Sequence, residues 1–420
     1  MVKKNNLRIC LSLYACEPNR GSEPGVGWAW ALGMAKRHET WVLTRANNRD
    51  VIEAELDRLE VPAEERPHFV WVDLPRWVQR LKKRGVIPVG FYYLLWQFAA
   101  RRAWDKTGIC VDIIHHVTFC SYFVPGVWWH RKEKVVIGPM GGAAVCPFRL
   151  LRVFRLRERP GEWLHGLLRK RWWFAPLYVL GRRNADAIMF TERDLLRRLG
   201  GSSACETVLL DVAVPRELET PVQESVQRKR QFLWAGLLVG RKGCEIAIRA
   251  FAQTFAGQTN APVLKICGDG PYRARLQNLA RRLSVSDHVI FAGKLPQNAL
   301  WREMRTSLAL VFTSVRDTCG TVSIESLACG TPLVCFRHQG VAEIVDDTCG
   351  IAVEPSSYDN AVADFAAAMR RLADAPALAD NLGTNGRKRV MEHFTWTQKF
   401  DMADEVYGKI MSCKHNASHA

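Results

Sequence analysis

The sequence predicts an α/β protein made of two doubly wound, Rossmann-like domains, and three observations carry that prediction. The chain has 420 residues, more than one ordinary core accommodates, with 48% hydrophobic and 24% charged residues. Its opening reads as strand, glycine-rich loop, helix, strand, the order of a β-α-β unit on a parallel sheet. Around residues 215–230 the apolar pattern lapses into Glu, Gln, Arg and Lys, and then the alternation begins again.

In the first half, Leu7–Leu13 is a strand candidate, followed by the turn-rich stretch Glu17 to Gly27, a helix over 28–36 and a strand over 39–44. Further strands are expected at 68–72, 113–117, 135–137 and 187–190. In the second half, strands at 232–234, 263–267, 289–292, 308–312 and 332–335 alternate with helices at 244–254, 271–283, 297–306 and 322–328. A helix pair after Tyr358 completes the pattern. The expected domains are therefore 1–214, a linker 215–230, a second domain 231–393, and a C-terminal helix 394–420 with a short tail. Ligands of such sheets bind beyond the carboxyl ends of the strands, here expected in a cleft between the domains.

The thirteen cysteines include no C-x-x-C pair and no cysteine–histidine ligand spacing, and several sit in apolar runs. That pattern argues for free thiols in a reducing compartment, against a disulfide scaffold or structural zinc. The start shows no signal-peptide core. The longest apolar run, Val86 to Ala100, falls short of the roughly 18–20 residues that span a bilayer. No Asp-x-Asp triplet occurs, so no metal site is expected.

The net charge is +17, and most of it sits in two stretches. Residues 76–106 carry eight Lys/Arg against Asp105 alone, and 149–183 carry ten against Glu158 and Glu162. Six tryptophans lie among them: Trp77, Trp96, Trp104, Trp163, Trp172 and Trp173. Basic residues interleaved with tryptophan suit an anionic lipid surface. Nucleic acid is the competing partner, but no zinc finger, RNP-like motif or basic zipper is present, and no nucleic acid is expected. Ordinary solvated faces beside core tryptophans remain a third reading.

Several motifs resemble, in order and spacing, the retaining family-4 glycosyltransferases of the GT-B fold. They are Gly236 to Gly243, Gly268-Asp-Gly-Pro271, Phe291-Ala-Gly293, Asp317 through Glu325, and Ala328-Cys-Gly-Thr-Pro332. Gly21-Ser-Glu-Pro-Gly-Val-Gly27 is similar to the family's acceptor-side loop, and Asp112-Ile-Ile-His-His116 and Gly138-Pro-Met-Gly-Gly142 resemble further elements. The basic stretches are poorly covered. The resemblance implies a metal-independent transferase that takes a UDP-sugar or GDP-sugar donor and uses no cofactor. Lys242 would be the diphosphate lysine. The family's partner arginine falls at Leu237, so either Arg241 supplies that charge or diphosphate binding is weaker.

The family's paired glutamates correspond to Asp317, shorter by one methylene and near the donor sugar, and Glu325, on the ribose hydroxyls. Carboxylates suit both roles because each accepts several hydrogen bonds. Thr321 would neighbour the diphosphate at a helix start, and Gly21 would let the acceptor loop approach it. His116, in preference to His115, would lie beside the donor sugar. With both basic stretches on the acceptor side, the expected acceptor is a lipid-linked glycan. The enzyme is then expected to be cytoplasmic and held peripherally at the inner face of the cell membrane. The departures at Leu237 and Asp317 leave open a non-enzymatic envelope-assembly scaffold, and a soluble acceptor also stays open. A nicotinamide-dependent oxidoreductase is disfavoured because the first loop lacks G-x-G-x-x-G.

Overall fold

A computed structural model describes residues 7–170, 175–202, 204–220 and 227–412. Arg171, Trp172 and Trp173 of the second basic stretch lie outside the described residues, as do part of the expected linker (221–226) and the expected tail (413–420). The chain forms two compact units: Met1–Ala143 with Trp172–Asp211 and Trp396–Ala420, and Ala144–Arg171 with Val212–Thr395.

Unit 1 holds a seven-stranded sheet of β1 (Arg8–Ser12), β2 (Glu39–Thr44), β3 (His68–Trp71), β4 (Ile113–His116), β5 (Lys134–Met140), β6 (Ala187–Phe190) and β7 (Cys205–Val208). The order is β3-β2-β1-β4-β5-β6-β7, every pair parallel. Its central strands are buried except for the first residues of β1 and β5, Arg8 and Lys134, as expected for a parallel sheet covered on both faces. The first helix, Glu23–Ala35, starts five residues before the sequence pattern suggested, with a proline in its first turn. Gly27 makes that early start feasible: a Cβ there would run into the Ala15 carbonyl.

Unit 2 holds β8 (Gln231–Ala235), β9 (Val263–Cys267), β10 (Val289–Gly293), β11 (Ala309–Phe312), β12 (Leu333–Phe336) and β13 (Gly350–Val353). They form a parallel sheet in the order β10-β9-β8-β11-β12-β13. Among the described residues no helix is long and apolar enough to cross a membrane.

The partition differs from the sequence expectation in three places. Residues 144–171, expected in the first domain, belong to unit 2, because Cys146, Leu150, Val153 and Phe154 share one core with Phe232 and Trp234. The chain crosses between units at 211–212, ahead of the expected linker. The described part of that linker packs on unit 2: Leu218 is buried, and Arg228 donates to the carbonyls of Ser307 and Gly330 at 2.7 Å each. The return to unit 1 falls at Trp396, where the helix Trp396–Ser412 buries Phe400, Ala403, Val406, Tyr407 and Ile410 in the core that also holds Trp30 and Met34. Arg37 fastens that helix through Asp404 and Asp401, each at 2.7 Å.

Candidate functional site

In each sheet the strand order reverses between two neighbours, β1/β4 in unit 1 and β8/β11 in unit 2. Loops leaving the carboxyl ends at such a switch point diverge and open a crevice. Gly21 and His116 lie at the first of these, and Lys242 and Asp317 at the second.

In unit 2, the turn Gly240–Lys242 follows β8, and Thr313 to Gly320 follow β11. Gly243 takes φ 65°, and a Cβ at that position would collide with the Thr313 carbonyl, so the two loops lie backbone to backbone. Thr313 fastens them: its hydroxyl accepts from Trp234 Nε1 at 3.0 Å and donates to the Lys242 carbonyl at 3.2 Å. The Val315 amide donates to the Arg241 carbonyl at 2.9 Å.

This packing brings Lys242 and Asp317 into a direct ion pair, with Arg241 Nη1 3.8 Å from the same carboxylate. Leu237 is exposed, and Arg241 is the second cation at this carboxylate. The Asp317 amide donates to Gln339 Oε1 at 2.7 Å, and Gln339 Nε2 donates to the Val145 carbonyl at 2.9 Å. Thr321 opens the helix Thr321–Ala328, whose N-cap Gly320 lies against the Phe312 ring. Glu325, one turn on, is buried and accepts from Gln297 Nε2 at 3.0 Å. Burial raises its pKa, an effect that Trp301 and Gln297 offset only in part.

Residues 144–171 are a feature that motif reading missed. They reach the turn after β9, where Arg155 Nη2 donates to the Pro271 carbonyl at 2.6 Å and Tyr272 bonds Glu158, and also the loop after β11. Glu162 pairs with Arg316, next to Asp317, with Nε to Oε1 at 2.7 Å and a hydrogen bond from Nη2 to Oε2 at 3.1 Å. Only the unusual density of arginine hinted that this stretch has partners of its own.

In unit 1, Gly21 is exposed in the loop after β1, and a side chain there would meet nothing within 4 Å. His115 and His116 end β4 and are both fully buried. His115 Nδ1 and Tyr407 Oη lie 2.7 Å apart, tying β4 to the C-terminal helix. His116 Nε2 is 2.8 Å from Tyr93 Oη and Nδ1 is 3.1 Å from Ser12 Oγ. Burial drives the His116 pKa down to about 3 and keeps the ring neutral. In this arrangement His116 ties strands to helices, and no part of it reaches the surface.

Glu23 was not singled out in the sequence, yet it is a largely buried carboxylate between the segments that follow β1 and β4. It begins the first helix and accepts from the Phe119 amide at 3.2 Å. Burial, joined by the nearby Asp211 charge, lifts its pKa from 4.5 to about 7 against that hydrogen bond. The folded chain thus holds this proton more tightly than the unfolded chain. Stability should fall as pH rises from about 4.5 to about 7 and level off above. Glu23→Gln should flatten that segment of a denaturant-midpoint profile, and an unchanged slope would show that Glu23 does not set it.

Residues 215–389 match the family of glycosyl transferases group 1. That match spans 175 of the 420 residues, all of them within the second unit. Among the curated proteins this chain is similar to is a GDP-mannose-dependent α-(1-6)-phosphatidylinositol monomannoside mannosyltransferase of Mycolicibacterium smegmatis. It is 29% identical over 251 residues, which cover 54% of this chain and 63% of the relative. The chain spans less than two thirds of the length of the first curated relatives it matches. Among solved structures, sucrose-phosphate synthase of Thermosynechococcus elongatus matches with a TM-score of 0.65 at 20% identity, over 97% of this chain and all of that one. The Anabaena protein HepE, solved in complex with UDP, matches with a TM-score of 0.61 at 14% identity, over 96% and 100%. At these identities the likeness carries the fold, which is GT-B.

Proposed function

We propose that this chain is a retaining glycosyltransferase. It moves a hexose-type sugar from a nucleotide diphosphate donor to a lipid-linked glycan at the cytoplasmic face of the membrane, in polysaccharide or glycolipid synthesis. The observation that carries the transferase reading is the Lys242–Asp317–Arg241 cluster at the switch point of the family-matched unit. Asp317 holds the Lys242 ammonium in place before donor binds, so the cation needs little reorganisation to meet a diphosphate. Arg241 adds charge from the same turn. The amide groups at the start of Thr321–Ala328 face the same way as the helix dipole and favour an anion beside Thr321. Glu325 uses one acceptor site on Gln297 and has capacity for ribose hydroxyls.

These cations and dipoles take the role that a divalent ion fills elsewhere, so transfer should persist in excess chelator. Support for a lipid-linked acceptor comes from the first basic stretch, where Trp77, Val86, Val89 and Phe91 are exposed while Trp96 and Trp104 are core residues. The similar mannosyltransferase carries phosphatidylinositol monomannoside, a glycolipid, in its name.

The test is incubation with radiolabelled UDP- and GDP-sugars and a lipid extract, with and without EDTA. Label should enter the organic phase, and the anomeric configuration of the donor should survive in the product. Label found only on water-soluble products would replace the lipid acceptor with a soluble one. No transfer from any donor would leave a scaffold.

A further inference from the structure

The helix Arg159–Lys170 is amphipathic with its polar face turned to the protein and its apolar face turned to solvent. Glu162 and His165 point at Arg316 of unit 2, and Glu162 is buried there. Trp163, Leu164, Leu167 and Leu168 occupy the adjoining arc of the helix, at spacings that place them side by side. Their exposures are 52%, 49%, 39% and 45%. Immediately before the helix, Phe148 and Leu156 are also exposed, at 70% and 77%. Isolated exposed apolar residues are ordinary, but six within about twenty residues, four of them contiguous on one helix, mark a contact surface.

The charges around it indicate what covers it. Both acids of the segment are engaged inward, Glu158 with Tyr272 and Glu162 with Arg316. Arg149 and Arg157 are exposed, so the outward side presents apolar groups and positive charge with no acid among residues 148–169 left to oppose it. A helix with Trp and Leu on one side and a basic border suits the interface of an anionic bilayer, where it lies in the plane with its apolar side about 5–10 Å deep.

We infer that the helix Arg159–Lys170 is a lipid-docking element carried by the nucleotide-binding unit, an inference that deepens and rests on the membrane reading proposed above. The sequence had placed this stretch on the acceptor side, and the structure joins it instead to the donor loops through Glu162–Arg316. The exposed Trp77, Val86, Val89 and Phe91 then form a separate contact on unit 1. One weak anchor gives marginal, reversible binding, and two independent ones give stable association.

The experiment is flotation of the full chain with vesicles of phosphatidylcholine alone and of phosphatidylcholine with phosphatidylglycerol. The double variant Leu164→Glu/Leu167→Glu is compared with Trp77→Glu. Wild type should float with the anionic vesicles only. The double variant should lower the bound fraction by about tenfold while keeping the wild-type melting temperature and the shift that UDP or GDP produces. Binding by the double variant equal to wild type would overturn the proposal. So would a concentration-dependent dimer that the double variant splits, because the face would then cover a second copy. Transfer to lipid with flotation indifferent to Leu164 and Leu167 would sink docking by this helix and spare the acceptor. Flotation that depends on them, with label only on soluble products, would do the reverse.

Discussion

Lys242→Ala should lower kcat/KM for sugar transfer by on the order of 100-fold, with weaker UDP or GDP binding by calorimetry and an almost unchanged melting temperature. Removing one preorganised donor from a site where charge develops commonly costs about 10²–10³ in rate. The Lys242 and Asp317 side chains are only 14% and 17% exposed, so the fold is spared chiefly because Arg241 stays beside the carboxylate. Arg241 remains 3.8 Å from Asp317 after the substitution and bounds the loss. Arg241→Ala should therefore have a smaller effect, since its guanidinium is more exposed and touches Asp317 less closely. Lys242→Arg separates charge from position: partial rescue of nucleotide binding without rescue of transfer would show that aim matters as well as charge. Wild-type kinetics in Lys242→Ala would remove the residue from the mechanism and, with it, the observation on which the transferase reading rests.

How much of this was legible in the sequence follows from how local each signal is. Central strands such as β4, β8 and β11 carry short apolar runs (Ile113-Ile114, Phe232 to Ala235, Ala309 to Phe312) between turns, and they were found to within a residue or two. The two missed strands, β7 and β13, are sheet-edge strands of four residues, only partly buried, one with a glutamate and one starting at glycine. Nothing in Cys205–Val208 distinguishes a strand from a loop until a partner strand lies beside it. The loop motifs gave Lys242, Asp317 and Glu325 because glycines bracket them, and Gly243 and Gly320 both take positive φ. Partner choice was invisible. That Lys242 would meet Asp317, seventy-five residues away, or Glu162 meet Arg316, depends on tertiary packing. His116 illustrates the converse: a histidine at a strand end looks chemical, and only its burial against Tyr93 and Ser12 shows what it holds together. The segment 144–171 was misassigned for a related reason. It follows β5 directly in sequence, and the helical spacing of Cys146, Leu150, Val153 and Phe154 predicts a buried face without saying which unit covers it.

The largest effect on stability is expected at Phe400. The ring lies at the centre of the joint between the C-terminal helix and the first helix. It stacks on Trp396 at 5.6 Å, meets Trp30 edge-on at 5.5 Å, and lies under the Arg37 guanidinium at 5.8 Å. Gly33 supplies the space, since a Cβ there would overlap the ring. Deleting so enclosed an aromatic side chain removes its transfer free energy and leaves a cavity, together about 3–5 kcal/mol. Phe400→Ala should therefore shift the first unfolding transition in urea markedly, whereas Met402→Ala, on the exposed side of the same helix, should shift it little. Gly33→Ala tests the joint from the other side: a methyl forced against the ring should destabilise by overpacking, roughly 1–3 kcal/mol. The two substitutions act on one contact, so their effects should not add, and in the double variant the added methyl should fill part of the cavity and recover stability. Full additivity would mean that the helix Trp396–Ser412 is held mainly by Arg37, Asp401 and Asp404, with Phe400 merely lying over Gly33.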